Sequence, residues 1–156
     1  MVLYIESLIE NKVFKLENCN INSQILNIKK EIQSQEHVPF DEQVLYYNNQ
    51  IMNEDEVVSS YLKYESELIK LVIIEKPFQI KLKTMFDKEI VIKNITSQTY
   101  VEEIFLILFY YYELHPDDLI LTFKSTKLDK YNKLFYYKIK DNDLINIIIH
   151  TKTGFF

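Results

Sequence analysis

Residues 1–16, MVLYIESLIENKVFKL, and residues 78–92, FQIKLKTMFDKEIVI, decide the fold. Each begins with apolar residues alternating with polar ones, turns at a short polar step, and returns with a second alternating run. That pattern predicts a β-hairpin. Leu3 and Ile5 are answered by Val13, Phe14 and Leu16 across Asn11-Lys12; Ile80 and Leu82 are answered by Ile90 and Ile92 across Asp87-Lys88. The segments after the two hairpins repeat as well. Pro39 and Pro116 stand 77 positions apart, and the late runs LIKLVII and LINIIIH start 76 apart, at Leu68 and Leu144. Repetition at a fixed offset fixes architecture before any motif is weighed. A unit of about 75 residues is a small domain rather than a solenoid repeat.

Each half orders its elements as strand, strand, helix, strand, short strand, late strand. In the first half Ile25, Ile28 and Ile32 fall at helical spacing, with Asn22 or Ser23 expected as the cap. Val38-Pro39 ends that helix, because a residue before proline is pushed out of helical geometry. Val44 to Tyr47 is a strand, Asn48-Asn49 a turn, and the apolar run Ile69 to Ile74 is expected to be a central strand buried on both faces. In the second half Thr99 and Glu102 form an expected capping box, with Val101, Ile104, Phe105 and Leu108 behind it. Leu119 to Phe123 and Leu144 to Ile149 complete the set. A lone helix buries its stripe only against one side of a mixed sheet, so two such units make an α+β protein with two cores. The expected domains are residues 1–75 and 78–156, joined by Lys76-Pro77.

Composition excludes several classes of function. One glycine in 156 residues argues against phosphate-cradling loops, which need glycine where backbone meets ligand. A formal charge of -5 without a lysine-rich tract gives no footprint for nucleic acid. The longest apolar run, Ile104 to Tyr112, is too short to span a bilayer and is expected to be a buried helix face; no signal-peptide pattern is visible. Cys19 stands alone, so no internal disulfide forms, in keeping with a reducing, intracellular compartment such as cytoplasm or nucleus. His37, His115 and His150 show no ligand spacing with one another or with Cys19, so neither metal nor cofactor is expected. Asp41-Glu42 and Asp117-Asp118 sit just beyond the prolines. Adjacent acids in a turn solvate it; they do not oppose each other across a cleft as a hydrolytic pair must. No catalytic residue is expected.

Taken together the pattern resembles ubiquitin, written twice. In the first half Ile5, Leu8, Val13, Ile25, Ile28-Lys29, Ile32-Gln33, Val38-Pro39, Gln43, Leu45, Met52, Tyr61, Ile69 and Leu71 fall where the family has identical or similar residues. In the second half Gln79-Ile80, Lys83-Thr84, Ile90, Ile92, Val101, Ile104, Leu108, Pro116-Asp117, Leu121, Phe123, Leu128, Ile145 and Ile147 do so. The resemblance implies two tandem β-grasp domains. It also implies a binding surface on each sheet, at Leu8, Tyr46 and Val72 in the first domain and Met85, Thr122 and Ile148 in the second. A tyrosine at one centre and a threonine at the other distinguish both surfaces from the family's aliphatic patch. The family's most used linkage lysine is replaced by Gln50 and Thr126, while Lys29, Lys63 and Lys127 remain candidate acceptors.

The last residues read His150-Thr-Lys-Thr-Gly-Phe-Phe156. Gly154 takes the position of the glycine through which modifiers of this family are activated, but Thr153 replaces the glycine before it. The resemblance implies two functions. One is a non-enzymatic tandem ubiquitin-like protein that binds other proteins, as an adaptor, a subunit of a larger assembly or a regulator facing ubiquitin-pathway enzymes. The other is a two-domain modifier conjugated through Gly154 once Phe155 and Phe156 are removed. Neither needs nucleic acid, a membrane or a cofactor. Tyrosine pairs and triplets (Tyr46-Tyr47, Tyr110-Tyr111-Tyr112, Tyr136-Tyr137) favour contact with proteins.

Overall fold

The computed structural model describes residues 2–8 and 10–150. The chain separates into two compact units, Met1–Glu75 and Lys76–Phe156. In the first, β1 (Leu3–Ser7) and β2 (Lys12–Leu16) form a hairpin. They are followed by α1 (Ile25–Glu36), β3 (Gln43–Tyr47), β4 (Gln50–Ile51) and β5 (Leu68–Ile73). The second repeats the series as β6 (Phe78–Thr84), β7 (Glu89–Ile95), α2 (Val101–Tyr112), β8 (Leu119–Phe123), β9 (Thr126–Lys127) and β10 (Leu144–Ile149). The sheets have identical topology, β2-β1-β5-β3-β4 and β7-β6-β10-β8-β9. In each, the first and last strands run parallel at the centre and the rest are antiparallel. These are two α+β domains with the β-grasp order of elements.

Backbone hydrogen bonds put the two domains in register residue by residue. Ile25 N–H donates to the Glu56 carbonyl and Val101 N–H to that of Asn132; Leu26 reaches Glu54 as Glu102 reaches Lys130; Met52 reaches Leu45 as Leu128 reaches Leu121. The phenol oxygen of Tyr61 accepts from Asn53 N–H, and that of Tyr137 from Asp129 N–H. Every pair is offset by 76 residues. The first strands carry one residue more, since Ile5 pairs with Ile69 where Leu82 pairs with Ile145.

Each helix lays one stripe on its sheet. Ile25, Ile28 and Ile32 are buried in the first domain, and Val101, Ile104 and Leu108 in the second. Each stripe belongs to its own core cluster, with Leu3, Ile5, Leu45, Ile69 and Leu71 beneath α1, and Ile80, Leu82, Leu121, Ile145 and Ile147 beneath α2. Alternation places the other residues of each strand on a face with no helix over it.

Four local expectations differ from what the chain does. Central strand β5 is not buried on both faces: Ile69, Leu71 and Ile73 are buried, while Leu68 and Lys70 are exposed, because the helix covers one side only. The first residue of α1 is preceded by Gln24 as its cap, without a side-chain hydrogen bond. The carbonyls of Glu54 and Glu56 take the leading helix N–H groups instead. Ser23 Oγ turns back to accept from Asn20 N–H at 3.0 Å. In the second domain the reach-back of the capping box is displaced by one residue: Glu103, not Glu102, accepts from the N–H of Tyr100 at 2.7 Å. Finally, Ile104 to Tyr112 is not a wholly buried face. A helix on one sheet buries a stripe, and Leu106, Phe109, Tyr110 and Tyr111 lie off it in solvent.

The scarcity of glycine shows in the turns. Asn48 and Asn49 both take positive φ (49° and 60°), the geometry of a tight hairpin turn. The same turn in the second domain is made by Lys124 and Ser125 (48° and 66°). Asparagine tolerates this conformation through its short polar side chain, whereas lysine does so at a steric cost.

Candidate protein-binding site

The open face of each sheet is organised in rows set by strand pairing. In the first domain Val13, Glu6, Lys70, Tyr46 and Ile51 form one row, successive members being cross-strand partners. The neighbouring row contains Val72 paired with Val44. Leu8 comes directly after Ser7, which pairs with Leu71, and its N–H donates to the Leu71 carbonyl at 3.2 Å. Leu8 is exposed, and Val72 and Val44 are half-buried. Leu8, Tyr46 and Val72 therefore lie on the open face, with Val44 among them, a residue that reasoning from the family positions does not reach. Its signal is present in the sequence: Val44 and Tyr46 alternate with buried Gln43 and Leu45.

The second domain repeats the plan with other chemistry. Glu89, Lys83, Asn146, Thr122 and Lys127 make the row that includes Thr122. Ile148 pairs with Ile120, and Met85 comes directly after Thr84, which pairs with Ile147. Met85 and Ile148 are exposed and Thr122 half-buried. Ile120 is the residue missed here, at the place of Val44. Each domain thus keeps an aliphatic row, Leu8–Val72–Val44 or Met85–Ile148–Ile120, beside a mixed row centred on tyrosine in one case and threonine in the other.

On the helix side of β3, Tyr47 packs against the core. Tyr47 donates its phenol hydrogen to Glu67 Oε1 at 2.5 Å, which raises the phenol above its ordinary range. The same bond, with help from the N–H groups of Tyr64 and Lys63, holds the Glu67 carboxyl below its ordinary range. This pins the end of β3 to the loop before β5. Lys29, one of the candidate acceptors, is buried and ion-paired to Glu54 at 2.7 Å. Its amine is thereby held inside rather than offered. Lys63 and Lys127 are exposed. Gly154 lies outside the described residues, as do Thr153, Phe155 and Phe156.

Cys19 is buried, which pushes its thiol up and away from the reactive thiolate. Glu42 is buried in the turn Phe40–Glu42, and Asp117-Asp118 sit in the turn Pro116–Asp118. Among the described residues no group of three or more His, Cys, Asp or Glu side chains is placed to hold a metal ion. None of the described helices is long and apolar enough to cross a membrane.

Two β-grasp domains, each with an open sheet face bearing an aliphatic row, define a tandem ubiquitin-like protein. Residues 4–76 match the model of the ubiquitin family, so the first domain belongs to that family, and the second repeats its fold within the same chain. Domains of this kind generally mediate protein–protein contacts and are generally not enzymes.

Proposed function

We propose that this protein works by noncovalent binding, presenting two differently decorated sheet faces to other proteins as an adaptor, complex subunit or regulator in a ubiquitin-linked pathway. The observation that carries this reading is the pair of open sheet faces. Each holds three aliphatic side chains in one row, and each differs from the other in the row beside it. An aliphatic row flanked by a tyrosine suits the centre of a protein interface, where aromatic residues contribute most. The second face, with Asn146 and Lys127 flanking Thr122, suits a partner that offers hydrogen-bonding groups. Two weak contacts on one chain gain avidity when a single partner or assembly reaches both.

The test is affinity capture of the full chain from its source cells, with wild type compared to Val72→Arg and Ile148→Arg, and with intact mass measured in parallel. The reading expects a full-length protein in noncovalent complexes, each variant losing its own subset of partners. Covalent adducts of a form ending at Gly154, abolished by Gly154→Ala, would replace it with the modifier reading.

A further inference from the structure

The register of the two domains makes Phe105 the counterpart of Lys29, and Lys130 the counterpart of Glu54. In the first domain Lys29 and Glu54 close the crevice between helix and loop with an ion pair, and Gln43 lies buried beside it, donating to the Lys29 and Val38 carbonyls. In the second domain the pair is gone. The Lys130 ammonium lies over the Tyr131 ring at 5.0 Å, and Leu119 stands where Gln43 stood. The crevice opens into a groove of about 610 Å³, with Phe105, Leu106, Leu128 and Tyr131 among its apolar walls and Glu102, Asp117, Asp129 and two lysines at its charged ones.

The same helix carries knobs beside this hole. The counterparts of Lys30, Ser34 and Gln35 are Leu106, Tyr110 and Tyr111, exposed by 53%, 82% and 76%. Tyr111 projects to the other side of the helix from Phe109, two residues apart. On the side toward the groove, Leu106, Phe109, Tyr110 and Tyr131 bare roughly 500 Å² per chain, taking about 200 Å² for a large side chain. That lies in the upper part of the range of the largest apolar patch on a monomer, about 300–600 Å², which is often functional. Doubled, it reaches about 1,000 Å², the size a specific interface must clear.

We propose that α2 is a homodimerisation surface, and that a second copy of this chain covers it. Antiparallel pairing of two α2 helices across Leu106 and Phe109 brings each copy's Tyr110 to the other's groove. Knob and hole lie on one surface, so the contact is self-complementary and closes at two chains. The pairing opposes the helix dipoles favourably, and it sets the phenol hydroxyls of one chain, as donors, toward Glu102 on the groove of the other. Within the second domain the contact uses the helix side and leaves the open sheet face free. It is therefore independent of the binding role proposed above.

The experiment is sedimentation of the full chain over a wide concentration range, wild type against two variants that borrow the first domain's own residues. Leu106→Lys with Tyr110→Ser and Tyr111→Gln removes the knobs outside the core. Phe105→Lys with Lys130→Glu rebuilds the ion pair and fills the hole. The expected result is a wild-type dimer dissociating in the micromolar range, at least 100-fold weakened by the first variant and at least tenfold by the second. Both should keep wild-type circular dichroism, and Val72→Arg should dimerise normally. A wild type that stays monomeric at every concentration overturns the proposal, whether residues 151–156 or a different protein then covers the face. So does a dimer that the first variant leaves intact while it keeps its fold.

Discussion

Helices α1 and α2 hold the same place in the same fold, and they differ most where they meet solvent. Toward the sheet, Ile25, Ile28 and Ile32 correspond to Val101, Ile104 and Leu108. Away from it, Lys30, Ser34 and Gln35 correspond to Leu106, Tyr110 and Tyr111. Between the two, buried Lys29 corresponds to half-buried Phe105. The core stripe varies within aliphatic limits because each side chain must fill a closed space. The outer face is free of that constraint. A change there from polar to apolar or aromatic costs solubility and adds little to folding, and it is the ground on which the α2 contact is proposed. The sheets teach the same lesson more quietly, with a shared aliphatic row beside a row whose centre changes from Tyr46 to Thr122.

The comparison can be broken most forcefully at the stripe the helices share. Ile32→Ala and Leu108→Ala should each destabilise their own domain by about 2–5 kcal/mol, the usual loss for emptying a packed aliphatic site. Urea unfolding followed by amide signals assigned to each domain would check this. Equal losses in both domains from a single substitution would contradict two separate cores.

A smaller effect is expected where the helices diverge beneath the surface. Lys29→Ala leaves the first domain without its crevice ion pair and should cost on the order of 1–3 kcal/mol, the low end being set by the partly exposed Glu54. Phe105→Lys alone, placing an amine in the second domain opposite Lys130, should lower that domain's thermal midpoint. Adding Lys130→Glu should restore much of it.

The hairpin turns offer a gain rather than a loss. Lys124→Asn with Ser125→Gly gives the second domain residues suited to positive φ, and should raise its stability by about 1 kcal/mol as read from denaturant midpoints. The equivalent exchange Asn49→Gly should give less, since asparagine already suits the turn.

The subtlest difference is in acid. The Glu67 carboxyl is held below its unfolded value of 4.5, first by the Tyr47 phenol. Its contribution is therefore present above that value and is lost as pH falls through the lower folded value. Phe123 occupies the place of Tyr47 in the second domain and offers no hydroxyl. Tyr47→Phe should thus flatten the acid limb of the first domain's stability curve between about pH 5.5 and 3.5 (roughly one unit either side of the unfolded value) and leave the second unchanged, as followed by domain-resolved amide signals.

Much of the fold is legible in the chain because its signals are local. Alternation marks β1, β2, β6 and β7, the 3.6-residue stripe marks both helices, and the offset between Leu68 and Leu144 betrays the repeat. Local capping departs from expectation at Asn22, Ser23 and Glu102 for a reason no short window contains. The leading N–H groups of each helix are met by carbonyls about 30 residues further on, at Glu54, Glu56, Lys130 and Asn132. Continuous apolar runs mislead at Ile69 to Ile74 and at Ile104 to Tyr112 because a run does not say how many of its sides are covered.

The sequence by itself determined two α+β units, their order and their core stripes, since periodicity arises from backbone geometry and is written residue by residue. Tertiary structure alone decided which apolar residues remain outside. With one helix per sheet, burial ends at a single face, so Leu8, Val44 and Val72 on one sheet, Ile120 and Ile148 on the other, and Leu106, Tyr110 and Tyr111 on α2 stay exposed or half-buried outside the core of their own domain. The groove beside Phe105 belongs to the same category. Its opening depends on Lys130 and Leu119 as well as on Phe105, and only the folded chain brings those three positions together.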